Sequence, residues 1–184
     1  MTDVAGVLDV RKPYFNADPG RIYRNLGTVA HRGVELSLTA RPVEGLSVIA
    51  GIVLLDAEVS GEVVDFGIIG PRPVGISPRT IRANFDYRLP FLDSVSVDLG
   101  VTHEAGKPAS TVEFAELGGR QLETEASMIK DIGTRCRFAA GFTPLTLRAQ
   151  ITNLFDVLAW DVGSNSAFTF NNARRFQLSL AADF

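Results

Sequence analysis

The sequence predicts an all-β fold of about eight antiparallel strands running up and down, apolar on one face of the sheet and wet on the other. Three observations predict it. The first is alternation, cleanest in the last stretch: Phe176, Leu178, Leu180, Ala182 and Phe184 fall on one side of an extended strand, and Arg175, Gln177, Ser179, Ala181 and Asp183 on the other. A terminal segment is usually frayed and polar unless something ties it down, and this one ends on Phe. The second is loop parity. Connections alternate short (Pro42 to Gly45, Pro90 to Asp93, around Gly141) and long (Glu58 to Ser77, His103 to Glu125, Phe155 to Asn171). The third is charge. Arg82, Arg88, Arg135, Arg137, Arg148 and Arg175 share the polar face with Glu35, Asp86, Asp98 and Asp183, and a dry core would penalise each unpaired charge by roughly several kcal/mol. A sandwich has no reason to sort its loops by parity. A barrel inserted from one side of a membrane has short turns on one side and long loops on the other, with lipid against the apolar face and water in the lumen. The strands are therefore expected to be transmembrane β-barrel strands.

Taken in order, Val4 to Phe15 alternates weakly and is expected to be a strand, followed by a loop through Asn16, Asp18, Pro19 and Gly20. The chain resumes at Arg21, and from Thr28 the pattern strengthens: Val34, Leu36, Leu38 and Ala40 oppose Glu35, Ser37, Thr39 and Arg41. Leu46 to Ala57 is apolar on both faces. Alternation does not orient it, but its β-branched Val48, Ile49, Ile52 and Val53 favour extended backbone. Glu58 to Ser77, rich in Gly and Pro, is expected to be loop. Beyond Pro78, Ile81, Ala83, Phe85, Tyr87 and Leu89 alternate with Arg82, Asn84, Asp86 and Arg88, and Val95, Val97, Leu99 and Val101 alternate with Ser96, Asp98, Gly100 and Thr102. In the long connection that follows, Val112 to Leu117 could form a helical turn, which Gly118 and Gly119 would end. Ala126 to Ala139 places Ile132, Thr134, Cys136 and Phe138 opposite Asp131, Gly133, Arg135 and Arg137. Leu145, Leu147, Ala149 and Ile151 alternate with Thr146, Arg148, Gln150 and Thr152 before the last long connection and the terminal strand. Each strand is near the nine to eleven residues that a tilted strand needs to cross a bilayer. Aromatics gather near strand ends, as Tyr87 with Phe91, Phe138 with Phe142, and Phe155 with Trp160, which suits interfacial girdles.

Composition excludes several classes. The chain has 184 residues, 46% of them hydrophobic, and a formal charge of -3, enough for one domain without the signature of disorder. Its Arg and Lys form no basic run, so no nucleic-acid partner is expected. The single cysteine, Cys136, has no Cys or His cluster beside it, so neither a metal nor a redox role is expected, and no cofactor. The longest apolar run, Val48 to Leu55, is far short of a membrane helix. The start, Met1-Thr2-Asp3-Val4, lacks the basic-then-apolar pattern of a secretory signal, although an outer-membrane protein must be exported. Either the sequence is a piece of a longer chain or the membrane reading is wrong.

Asn25-Leu26-Gly27 followed by Arg32-Gly33-Val34-Glu35-Leu36 is similar to one barrel strand of TonB-dependent receptors, and Gly45-Leu46-Ser47 onward to Leu55-Asp56-Ala57 resembles its hairpin partner. Ile151-Thr152-Asn153-Leu154-Phe155-Asp156, with Trp160 shortly after, resembles the penultimate strand, particularly of ferric-siderophore receptors, and Arg174-Arg175-Phe176 to Phe184 the closing strand. Locally, Gly33 is expected to ease the start of a strand, and Asn153 and Asp156 suit a strand's exit into a turn.

The resemblance implies that residues 1–184 are the C-terminal part, about the last eight strands, of a barrel of about 22 strands closed around a plug, with plug and signal peptide absent. It implies a location in the outer membrane of a Gram-negative bacterium and a role in TonB-dependent uptake of a ferric siderophore or similar nutrient. The implied partners are the lipid bilayer, the rest of the barrel and its plug, the TonB complex, and the barrel-assembly machinery that reads Phe176, Leu178, Leu180 and Phe184. Ligand contacts are expected in the long loops, at Arg72, Arg79, Arg120 and Trp160, since Arg suits anionic chelates and Trp flat ones. The bland alternative for each is an ordinary solvated loop residue. A free-standing eight-stranded barrel with a structural or adhesive role is the second reading, since eight strands can close around side chains alone. An enzyme is not expected. His31 reads as a residue at a strand start and His103 as one at a loop base, no triad or zinc spacing surrounds them, and Gly118-Gly119-Arg120 lacks the flanks of a phosphate loop and reads as a turn.

Overall fold

The computed structural model describes residues 7–17, 23–163 and 167–183. In chain order the elements are β1 (Val7–Ala17), β2 (Tyr23–Ala40), β3 (Leu46–Ser60), a one-turn helix α1 (Glu62–Asp65), β4 (Arg79–Arg88), β5 (Val95–Glu104), β6 (Pro108–Phe114), β7 (Arg120–Glu123), β8 (Ser127–Ala140), β9 (Thr143–Thr152), β10 (Trp160–Val162), β11 (Phe168–Phe170) and β12 (Arg175–Ala182). Eight of the strands form one antiparallel sheet in the order β1-β2-β3-β4-β5-β8-β9-β12. Among the described residues the sheet does not close: β1 pairs with β2 and β12 with β9, and no pairing joins β1 to β12. That outcome disfavours the free-standing small barrel. No described helix is long and apolar enough to cross a membrane.

Register carries the alternation across the whole sheet. Gln177 stands opposite Gln150, Gln150 opposite Gly133, and Gly133 opposite Asp98, so the polar positions of β12, β9, β8 and β5 share one face. Asp98 faces Asp86, and Asn84 faces Ile49, which extends that face through β4 to β3. This settles the orientation that β3's own sequence leaves open. Val48, Ala50 and Ile52, opposite Phe85, Ala83 and Ile81, belong to the apolar face, while Ile49 and Val53 belong to the polar one. A single pairing step of slippage would invert every strand, so the agreement is a strong constraint.

Among the described residues, nothing covers the apolar face. Phe176, Leu178 and Leu180 are 72%, 74% and 61% exposed, and Leu36 on β2 is 43% exposed. A soluble sheet would bury that face under a second layer. The fully buried hydrophobic residues among those described lie instead at the long-connection end: Leu26 and Val59 near the ends of β2 and β3, Val63 on α1, Ile69 beyond it, Ala109 on β6 and Val162 on β10. Leu26, Val59, Val63 and Ile69 form one small cluster, with Val29 and Val64 against it.

Several local expectations change. β2 and β3 are 18 and 15 residues long, and the pair extends beyond the start of β4 on the long-connection side. Gly33 is not a strand start. It lies inside β2, where a Cβ would come within 2.3 Å of the Leu54 carbonyl oxygen, so its role is backbone crowding. His31 likewise lies inside β2 rather than at a strand start, whereas His103, the second-last residue of β5, stands at the base of the second long connection as expected. The stretch from Glu58 begins as strand and then forms α1, so it is not wholly loop. In the second long connection only Ala115–Leu117 is helical, as a single 3-10 turn ended by left-handed Gly118 at φ 68°. Val112 and Glu113 are strand residues of the β6–β7 hairpin.

Candidate functional site

The three long connections are folded structures tied to one another. Gly70 donates its amide to the Thr111 carbonyl at 2.7 Å, and Gly75 to Pro108 at 2.9 Å, which joins the first connection to β6. Gln121 on β7 completes the join. Its buried amide donates to the Arg72 and Ser110 carbonyls at 2.7 and 2.8 Å, and its oxygen accepts from the Arg72 backbone N–H at 2.9 Å. Three partners satisfy a side chain that would otherwise be an expensive buried amide. Gly70 has no side chain because a Cβ there would meet Gln121 at 2.5 Å.

The second and third connections meet at Lys107, which is 8% exposed. Its ammonium donates to Asp161 Oδ1 at 2.6 Å and to Glu104 Oε2 at 3.3 Å. Burial disfavours the charge on Lys107, but the hydrogen bond to Asp161 and the nearby carboxylates outweigh it and hold the pKa above the ordinary lysine value. The same hydrogen bond, working against partial desolvation, holds the Asp161 carboxyl below its usual range.

The third connection is organised by Asn153, left-handed at φ 51° and 3% exposed. Its Nδ2 donates to the Val157 and Asn172 carbonyls at 2.9 and 3.0 Å, and its Oδ1 accepts from Val157 N–H at 2.8 Å. Asp156, left-handed at φ 54°, accepts from Arg174 N–H at 2.8 Å. Asn and Asp tolerate this backbone region and bond their own neighbourhood, so the expected turn at a strand's exit is in place. Beyond it, Trp160 stacks on Phe170 with ring centroids 3.9 Å apart and meets Phe168 edge-on at 6.0 Å, across the β10–β11 pair. All three rings are about half exposed and form an aromatic shelf.

Beneath the loops, between the polar face and the first connection, lies a cavity of about 460 Å³ lined by Glu35, Ser77, Thr80, Arg82, Glu104 and Lys107 among others. Farther down the same face, Arg135 pairs with Asp86 at 2.9 Å and Arg148 with Asp98 at 3.3 Å. Gly133 makes room for the second pair, since a Cβ there would stand 2.5 Å from an Asp98 carboxylate oxygen.

Of the expected ligand-contact residues, Arg72 ties two loops together through Glu123 and Gln121. Arg120, the first residue of β7, directs Nε to the Leu117 carbonyl at 3.1 Å and stays exposed beside that junction. Trp160 is on the aromatic shelf, next to Asp161 of the Lys107 contact. Arg79 is apart from the others. It is the first residue of β4, and its parity is that of Ile81 and Ala83, on the apolar side. Phe176, Leu178 and Leu180 line the apolar side of the edge strand β12, and Phe184 lies outside the described residues. Sequence reasoning missed Lys107 and Gln121 as structural centres of the loops, and Phe168 and Phe170 as partners of Trp160.

No family model matches the chain. A ferrichrome receptor, FcuA, of Yersinia enterocolitica is 23% identical over 188 residues, covering 97% of this chain and 23% of the relative. BauA, the ferric preacinetobactin receptor from Acinetobacter baumannii, superimposes with a TM-score of 0.79 at 18% identity, covering 96% of this chain and 26% of that one. The siderophore receptor PiuA from the same species gives 0.72 at 16% identity, over 96% and 24%. The ferripyoverdine receptor of the outer membrane of Pseudomonas aeruginosa gives 0.71 at 14% identity, over 95% and 24%. The chain thus spans about a quarter of the length of these proteins, all of them receptors, and its fold is that of part of an outer-membrane β-barrel.

Proposed function

We propose that residues 1–184 form the C-terminal strands of a TonB-dependent outer-membrane receptor that takes up a ferric siderophore or a similar scarce nutrient. One observation carries the reading. The sheet is a single layer, apolar and uncovered on one side and lined with paired charges on the other, and the described hydrophobic residues that are buried lie at the long-connection end. Lipid suits the first face, and a wet lumen holding a plug suits the second. Receptor names among the relatives support the substrate class. In this reading the remaining strands continue the sheet from β1 and β12, energy comes from the inner-membrane TonB complex through a plug contributed by the rest of the receptor, and the apolar side of β12 with Phe184 is read by the barrel-assembly machinery. Trp160 and Arg120, exposed on the joined loops, contact the chelate, and Arg72 holds those loops in place.

The test is uptake of labelled ferric siderophore by cells carrying the complete locus. Deletion should abolish uptake of at least one chelate, and Trp160→Ala should weaken its binding by about 0.5–1.5 kcal/mol, the range of a stacked aromatic contact. Unchanged uptake of every chelate after deletion would overturn the reading.

A further inference from the structure

The charges of the polar face are balanced at its long-connection end and unbalanced at the other. Glu35 and Glu104 stand with Arg82 and Lys107 around the cavity beneath the loops, and midway Arg135 pairs with Asp86 and Arg148 with Asp98. At the short-turn end a second cavity, of about 640 Å³, is lined by Arg41, Arg88, Arg135 and Arg137, with Glu44 and Asp86 as its carboxylates among the described residues. Asp86 is already committed to Arg135. Among the described residues, no carboxylate lies within ion-pairing distance of Arg41, Arg88 or Arg137, and all three are exposed.

Three strands bring these guanidinium groups together. Arg41 directly follows β2, Arg88 ends β4, and Arg137 lies on β8. The Arg88 amide donates to the Gly45 carbonyl at 2.9 Å, which ties the turn after β2 to β4. The approach is so close that a Cβ on left-handed Gly45 would stand 2.6 Å from the Arg88 carbonyl oxygen. Ser96 on β5 stands in register between Arg88 and Arg135, and Arg137 is two residues beyond Arg135. The positions of Arg88 and Arg137 are thus separated by two strand spacings across the sheet and one two-residue step along it, roughly 12 Å.

Like charges gathered in a concave wall repel one another, and the surrounding protein concentrates their field, so an anion placed there gains from all three. Lipid does not reach them, because they share the polar face. A single small anion does not bridge the span from Arg88 to Arg137, whereas an extended peptide covers it in about four residues, with alternate side chains on one side. Carboxylates on such a peptide match the guanidinium forks in geometry. We propose that Arg41, Arg88 and Arg137 form a seat for an extended acidic segment of the same receptor chain, held against the inner wall at the short-turn mouth. This rests on the barrel reading, in which the polar face is the lumen wall and the rest of the receptor contributes what lies against it.

The test is zero-length cross-linking of the full-length protein in detergent, its folding verified by heat-shifted gel mobility. Arg88→Lys and Arg137→Lys keep the charge and supply amines that a carbodiimide joins to touching carboxylates. Peptide mapping should find amide bonds from both positions to Asp or Glu outside residues 1–184 of the same molecule. The triple variant Arg41→Gln, Arg88→Gln, Arg137→Gln should then speed hydrogen exchange in the cross-linked segment on the order of tenfold, as loss of charge-assisted contacts implies, while β8 and β9 stay protected. Cross-links confined to Glu44 and Asp86, or formed between molecules, overturn the proposal, as does unchanged exchange in a folded triple variant. Suppression of the cross-links by inorganic phosphate also overturns it, since the seat would then be one for a free anion. A protein that runs as a monomer in plain buffer overturns the barrel reading and this inference together.

Discussion

The eight-stranded sheet and the loops above it use the same amino acids in opposite ways. In the sheet, apolar side chains such as Leu178 and Phe176 are largely exposed and the charges on the other face pair with each other. In the loops, Val63 and Val162 are buried and so are polar Lys107, Gln121 and Asn153, each hydrogen-bonded to its neighbours. The loops therefore behave like a small water-soluble protein with a core of their own, whereas the sheet depends on a solvent other than water for its greasy face. Burial by protein atoms marks the part that meets water, and its absence marks the part that meets lipid.

The largest expected effect breaks the sheet side of this contrast. Leu178→Arg, near the middle of β12 on the apolar face, should reduce folding stability in lipid vesicles by about 2–4 kcal/mol, while Ser179→Arg, one residue on, should cost far less. Equal costs would mean that the two faces meet the same medium. The loop side is broken at Asn153. Its replacement by Ala removes three hydrogen bonds and strands buried backbone groups, at about 1–3 kcal/mol, and should speed hydrogen exchange across residues 154–172 while leaving β4 and β5 protected. Unaltered exchange there would show that the loop's order comes from elsewhere.

A finer comparison is available between two glycines of the polar face. Gly133→Val must displace Asp98 and break its pair with Arg148, costing roughly 1–2 kcal/mol in chemical denaturation. Gly100→Ala meets its neighbours only at 3.5 Å, ordinary contact, and should be close to neutral. If the two cost the same, crowding against Asp98 is not what keeps Gly133 small.

The smallest effect concerns the contact between loops. Lys107→Met should raise hydrogen exchange in the third connection by on the order of tenfold, the ~1 kcal/mol scale of a partly exposed pair. Acid should do the same. Asp161 titrates below its ordinary value of 3.8 when folded, so its contribution is intact above that pH and fades as pH falls through the lower folded value. Lys107, raised above 10.5, keeps its contribution until pH climbs past that value. Loop exchange that is flat from neutral pH down to about 2 would contradict the assignment.

The sheet was legible because two-residue alternation is a repeating signal, and each strand repeats it enough times to fix a face. Strand faces from Val34 to Phe176 follow it, and only β3 needed its neighbours to be oriented. Arg79 was legible too, by counting parity back from Ile81, but the nearby Pro78 and glycines drew it into the loop. The loops were not legible, because their order comes from single contacts with no period: Gln121 reaches Arg72 across 49 positions and Lys107 reaches Asp161 across 54. Nothing along the chain announces which Gln or Lys will be enclosed. Asn153 is the exception, since a polar residue at a strand's exit carries its own turn chemistry.

The most direct measurement places a tryptophan on each face of β12, Leu180→Trp and Ser179→Trp, in a Trp160→Phe background, and reads quenching by brominated lipids after reconstitution. Trp at position 180 should be strongly quenched with blue-shifted emission, and Trp at 179 should be quenched instead by aqueous iodide. Quenching of both by lipid, or of neither, would contradict a sheet with hydrocarbon on one face and water on the other.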